Sequence, residues 1–94
     1  MYNTKKSIKV YVPVEVSFDE KGRMYPRRIH WEDGQSYDVD RVVDVRPAYA
    51  ARAGGQGDRY TIRTNNRETH IFFEHNLDYD NRILGRWFVE RREV

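Results

Sequence analysis

Three histidines, one glycine-rich stretch and a run of arginines interleaved with aromatic residues are the parts of this 94-residue chain with the means to do chemistry. The histidines are His30, His70 and His75, and no cysteine is present to serve as a thiol nucleophile, a zinc ligand or half of a disulfide. No serine sits in a Gly-x-Ser-x-Gly elbow, so any nucleophile would need a base and an orienting acid brought to it by the fold. His70-x-x-x-Glu74-His75 and Asp78-x-Asp80-Asn81 offer nitrogen and oxygen donors. On a strand His70 and Glu74 share a face while His75 points away, and the acidic segment lacks the glycine and distal glutamate of a calcium loop. The expectation is a protein that is not an enzyme and carries neither metal nor cofactor.

Gly54-Gly55-Gln56-Gly57 has the backbone freedom to cradle a phosphate. Phosphate loops, however, lead into a helix N-terminus and carry a Lys-Ser/Thr pair, whereas this one leads into a strand beginning at Arg59. A plain flexible connection is the favoured reading over a phosphate cradle, and the same flexibility suits a loop that closes on a partner. The arginine and aromatic residues lie in a hairpin. With Asn65-Asn66 as a two-residue turn the facing pairs are Thr64/Arg67, Arg63/Glu68, Ile62/Thr69, Thr61/His70, Tyr60/Ile71 and Arg59/Phe72. Tyr60, Ile62, Ile71 and Phe73 then face the core, and Arg59, Thr61, Arg63, His70 and Phe72 share the outer face. A basic surface with an aromatic stacking residue is what small β-barrels use to hold single-stranded nucleic acid. The candidate binding residues are therefore Arg59, Arg63, His70, Phe72, Gly54, Gly55 and Gly57. Against this stand Phe72 as a packing residue beneath the glycine loop or the last strand, and Arg63 simply paired to Glu68. A second function class is a protein-interaction adaptor using an edge strand or the glycine loop, and an edge strand also admits a homo-oligomer.

The elements that must position these residues are strands. Ile8, Val10, Val12, Val14, Val16 and Phe18 alternate without a break, which places all six on one face of a half-buried strand. Asp19 to Arg23 reads as a hairpin loop, and the next strand runs from Met24 to Trp31; Pro13 and Pro26 mark edges or bulges. At Glu32-Asp33-Gly34 a two-residue turn would set Trp31 against Ser36, apolar against polar. A three-residue loop with Gly34 in the left-handed region and a G1 bulge pairs Ile29 with Tyr37 and Arg27 with Val39 instead, which keeps one apolar face. That strand continues to Arg46-Pro47 with a change of phase near Arg41. Pro47 to Asp58 is expected to be a surface loop, and His75 to Asn81 a polar connection. Ile83 and Leu84 cover an end of the core, and a last strand over 86–90 turns Trp87 and Val89 inward and Phe88 outward. The sum is an all-β domain over 1–94 with about six strands, a single strongly bent antiparallel sheet or a partly open SH3-like or OB-like barrel. Residues 1–7 are expected to be disordered and 91–94 frayed.

Length and charge bound the rest. Ninety-four residues suit one domain with one core, and 17 Lys and Arg against 15 Asp and Glu leave too small an excess for net charge to name a partner. The lack of cysteine fits a reducing cytoplasm, and neither a signal peptide nor a membrane span is expected.

Over Trp31-Glu32-Asp33-Gly34-Gln35-Ser36-Tyr37-Asp38-Val39-Asp40-Arg41-Val42, Asp44-Val45-Arg46-Pro47-Ala48, Ala53-Gly54-Gly55-Gln56-Gly57-Asp58-Arg59-Tyr60-Thr61 and Arg86-Trp87-Phe88-Val89-Glu90, the chain resembles a family of small bacterial proteins, chiefly of Firmicutes. The resemblance extends from Val10 to Glu90. It implies a bacterial cytoplasmic protein and transfers no activity or site residue.

Overall fold

The computed structural model describes residues 7–49, 56–75 and 82–92. These form eight strands: β1 (Ser7–Tyr11), β2 (Val14–Phe18), β3 (Met24–His30), β4 (Ser36–Asp38), β5 (Arg41–Tyr49), β6 (Gln56–Thr64), β7 (Arg67–His75) and β8 (Gly85–Arg92). They make two antiparallel sheets, one of five strands in the order β1-β8-β7-β6-β5 and one of three in the order β2-β3-β4. The all-β expectation holds. The single bent sheet of about six strands does not, and no closed barrel is present among the described residues.

Both extra strands arise at corners where one chain segment leaves one sheet for the other. In the first, the Val12 amide donates to the Trp87 carbonyl of the large sheet, while the next residue, Pro13, accepts from the His30 amide of the small one. Pro13 has no amide hydrogen to leave unpaired at the bend. In the second, the Val39 amide donates to Arg27 and the Asp40 amide to Arg63. The phase change expected near Arg41 is this change of sheet. A register shift between Glu15 and Val16 sets Val16 against Pro26 and Phe18 against Met24, so Ile29, Pro26 and Met24 all face inward from a strand that strict alternation would divide.

The turns follow their residues. Gly34 has φ 88°, its amide donates to the Trp31 carbonyl and Trp31 donates to Gln35, which fixes Ile29 opposite Tyr37 as expected. Asn65 and Asn66 have φ 53° and 61°, a type I′ turn, and each cross-strand pair foreseen for the β6–β7 hairpin is present.

The core between the sheets holds Val12, Ile29, Val39, Tyr60, Ile62, Ile71, Phe73 and Trp87, with Val10, Val14, Met24, Trp31, Val42 and Val89 packed at its margin. The alternating stripe is buried only at its middle. Ile8, Val16 and Phe18 are exposed where β1 and β2 run past the core, and Ile83 and Leu84, expected to close its end, are exposed as well. Of the segment expected to be a loop from Pro47 to Asp58, Pro47 to Tyr49 belong to β5 and Gln56 to Asp58 to β6, while residues 50–55 lie outside the described residues. At the termini, Ser7 opens β1 and Arg91 and Arg92 close β8; the disorder expected for 1–6 and the fraying of 93–94 lie outside the described residues.

Candidate nucleic-acid interface

The outer face of the five-stranded sheet carries the candidate residues, and strand register lines them up. Tyr11 stands opposite Phe88, Phe88 opposite Phe72, Phe72 opposite Arg59 and Arg59 opposite Arg46, one row crossing all five strands. The aromatic end of the row is a second, small core. Phe72 is 4 % exposed and Phe88 0 %, with their rings stacked at 5.0 Å and 9°. Tyr11 meets Phe88 edge-on at 5.9 Å, and the Lys9 ammonium lies 5.0 Å above the Phe88 ring. Phe72 therefore packs beside the last strand and does not offer a free face for a base.

A charged latch closes this cluster. The Glu74 carboxylate accepts from Lys9 Nζ at 2.5 Å, from the Tyr11 hydroxyl at 3.0 Å and from Arg86 at 3.2 Å, while the Arg86 guanidinium covers the Tyr11 ring at 3.9 Å. The hydrogen bond from Lys9, aided by the Tyr11 hydroxyl, outweighs burial and holds the Glu74 carboxyl below its ordinary value of 4.5. The same bond raises Lys9 above 10.5. A carboxyl depressed on folding contributes stability above its unfolded pKa, and the contribution disappears as pH falls through the folded value. Acid unfolding is thus expected to gain a limb below pH 4.5 that Glu74→Gln lacks, measured as urea midpoints across that range. Equal slopes in the two proteins would show that the latch carries no linkage.

The basic end of the row lies on β5, β6 and β7. Arg41 faces Arg63, and Arg46 faces Arg59, directly across the β5–β6 ladder. Two carboxylates answer them: Asp44 bonds Arg46 at 2.6 Å, and Glu68 stands 4.0 Å from Arg63. Among the described residues Arg41 and Arg59 make no ion pair, and Arg59 Nε is buried without a hydrogen-bond partner. His70, exposed on the same face, shares a hydrogen bond with Thr61 at 3.1 Å. Thr61 itself is buried, contrary to the open face expected for it.

Arg59, Arg63 and His70 thus share the outer face as expected, and Phe72 joins them in register but is covered. Arg41 and Arg46 join the group only because β5 pairs with β6, a contact that no local pattern announces. Gly57 is buried within β6 opposite Ala48 and so belongs to the sheet rather than to a loop. Gly54 and Gly55 lie outside the described residues.

On the small sheet a further constellation comes together. Glu15 Oε2 lies 2.7 Å from His30 Nε2, and His30 Nδ1 lies 2.9 Å from Ser36 Oγ. With Nε2 donating to the carboxylate, Nδ1 is left to accept the serine proton, the order of an acid-histidine-serine relay. The His30 and Glu15 side chains are 40 % and 59 % exposed on an open sheet face, where water screens the charges that such a relay must focus. Half of the constellation was legible, since pairing Ile29 with Tyr37 sets His30 opposite Ser36; the part played by Glu15 depends on the β2–β3 pairing. Beside it an open polar cleft of about 450 Å³ runs between β4 and the Asn65-Asn66 turn, lined by Ser36, Tyr37, Asp38, Asp40 and Thr64. No group of three or more metal-ligating side chains occurs among the described residues.

Comparison with family models, with curated proteins and with solved structures finds no match to this chain.

Proposed function

We propose that this protein is a non-catalytic binding module that holds the phosphate backbone of single-stranded nucleic acid on the outer face of its five-stranded sheet. The observation that carries the proposal is the pairing of Arg41 with Arg63 and of Arg46 with Arg59. Like charges directly opposite on neighbouring strands are destabilising, and a polyanion laid across them would turn that repulsion into binding free energy. Arginine suits the role because its planar fork makes bidentate bonds to phosphate oxygens. With Phe72 covered, recognition is through charge and little through stacking, so affinity would depend weakly on base identity. The two sheets with their shared corners fit a partly open barrel, and the sequence resemblance supports a place in the bacterial cytoplasm.

The test is a salt titration with a fluorescent single-stranded oligonucleotide. If each of the four arginines neutralises one phosphate, log K falls against log salt with a slope of about −3, or about 50-fold over a fourfold rise in salt. Arg46→Gln with Arg59→Gln keeps the aliphatic stems and is expected to remove about 1.4 from that slope. No binding at low salt, or an unchanged slope in the double variant, would overturn the proposal.

A second function, a protein adaptor that accepts a strand on a sheet edge, is favoured by one observation. β5 is a terminal strand of the large sheet, and Val43 and Val45 on it are 39 % and 46 % exposed.

A further inference from the structure

We infer that the strand accepted by the β5 edge is β5 of a second copy of this chain, paired antiparallel about a twofold axis that runs between the two strands at the level of Val45. The inference names the partner in the adaptor role and is independent of nucleic-acid binding.

A terminal strand presents backbone groups that another strand can pair with, and charge, proline or a bulge on it confines such pairing to a short stretch in one register. On β5, Val43, Val45 and Pro47 are all exposed. Val45 and Pro47 stand opposite Tyr60 and Asp58 on the core side of the sheet, and Asp44 and Arg46 opposite Thr61 and Arg59 on the outer side. The register shift between Val42 and Asp44 leaves Val43 as the extra residue beside them.

Charge selects the register. A twofold axis perpendicular to the sheet keeps each copy's core side on the same side, so it must run midway between the two strands at the level of one residue, which then faces its own copy. An axis at Asp44 sets carboxylate against carboxylate, and one at Arg46 sets guanidinium against guanidinium. An axis at Val45 sets Asp44 opposite Arg46 of the partner subunit, Arg46 opposite Asp44 of the partner subunit, and Val43 opposite Pro47 of the partner subunit. The Asp44–Arg46 pair already present within the strand at 2.6 Å then becomes a ladder of four alternating charges on the outer face. Val45 and Pro47 of both copies lie on the other face, away from water. Pro47 has no amide to donate and ends the ladder at each side, which keeps the contact short and limits growth beyond the pair. The two arginine faces come to lie on the same side of a ten-stranded sheet, doubling the length of the basic surface.

Sedimentation equilibrium of the full chain without nucleic acid tests this over a range of concentrations. The expected mass rises from that of the 11.4 kDa chain toward twice that value as concentration increases. Val45→Lys, which brings two ammonium groups together at the axis on an already exposed position, is expected to leave only monomer, with the circular dichroism spectrum of the folded parent. Asp44→Arg is expected to weaken self-association at least tenfold, and Asp44→Arg with Arg46→Asp to restore it, because the exchange preserves complementarity across the axis. A wild-type protein that stays monomeric at every concentration overturns the inference, as does a dimer that Val45→Lys leaves intact. Neither result bears on oligonucleotide binding, which the salt titration decides by itself.

Discussion

Phe88→Ala is expected to cost about 3–5 kcal/mol of folding stability, the range for removing a fully buried aromatic ring. Phe88 lies on the side of the five-stranded sheet away from the main core, where a large apolar side chain would ordinarily be exposed. It is buried completely, because Phe72 stacks on one side of it, Tyr11 packs edge-on and Lys9 lies over its ring. Truncation removes all three contacts and undermines the Lys9–Glu74–Arg86 latch above them. For a domain whose total stability is about 5–15 kcal/mol, such a loss leaves a substantial unfolded fraction at moderate temperature. Urea unfolding of Phe88→Ala against Phe88→Leu measures it, since leucine retains most of the apolar volume and is expected to lose far less. A cost under about 0.5 kcal/mol, as at an ordinary surface position, would show that the outer cluster is not a packed core. Phe72→Ala is expected to act in the same way, which makes it a stability variant and a poor probe of ligand stacking.

Gly57→Ala is the second large effect, about 1–3 kcal/mol from overpacking. A Cβ at this position would stand 2.3 Å from the Phe73 carbonyl oxygen and 2.9 Å from its carbon. Those atoms belong to β7, which is held between β6 and β8 and has little room to yield. Gly85 is equally confined, its Cβ falling 2.3 Å from the Glu74 oxygen and 2.6 Å from the Phe73 ring. Thermal unfolding should show the Gly57→Ala midpoint lower by about 4–8 °C for each kcal/mol lost. Gly22→Ala serves as a comparison: it meets no atom within 4 Å, but Gly22 has φ 80°, so its cost of about 1–2 kcal/mol arises from the backbone conformation alone. Were Gly57 part of a phosphate cradle, its substitution would change oligonucleotide affinity and spare stability; the structure leads to the opposite result.

The local patterns were legible where a turn and one apolar face constrained each other. At Gly34 one register kept Ile29 and Tyr37 on a common face, and at Asn65-Asn66 the tolerance of asparagine for positive φ set all the β6–β7 pairs. The strand count was not legible. Val12-Pro13 and Val39-Asp40 continue an extended backbone through the change of sheet, so alternation runs on across a point where the hydrogen-bond partners are exchanged. Phe72 was placed on the outer face, where it lies, but its use there stayed open between a stacking platform and a packing residue beneath the last strand: nothing in its neighbours in sequence shows that Phe88 and Tyr11 cover that face.

By itself the sequence determined extended segments, turns and the register of the β3–β4 and β6–β7 hairpins, because these depend on side-chain alternation and on backbone angles that act over a few residues. Tertiary structure decided which outer residues are surface and which are core, and it brought Arg41 and Arg46 to Arg63 and Arg59 and made β5 the terminal strand of the large sheet among the described residues. Those outcomes depend on pairing between strands far apart in the chain, and side-chain alternation carries no information about which distant strand will lie alongside.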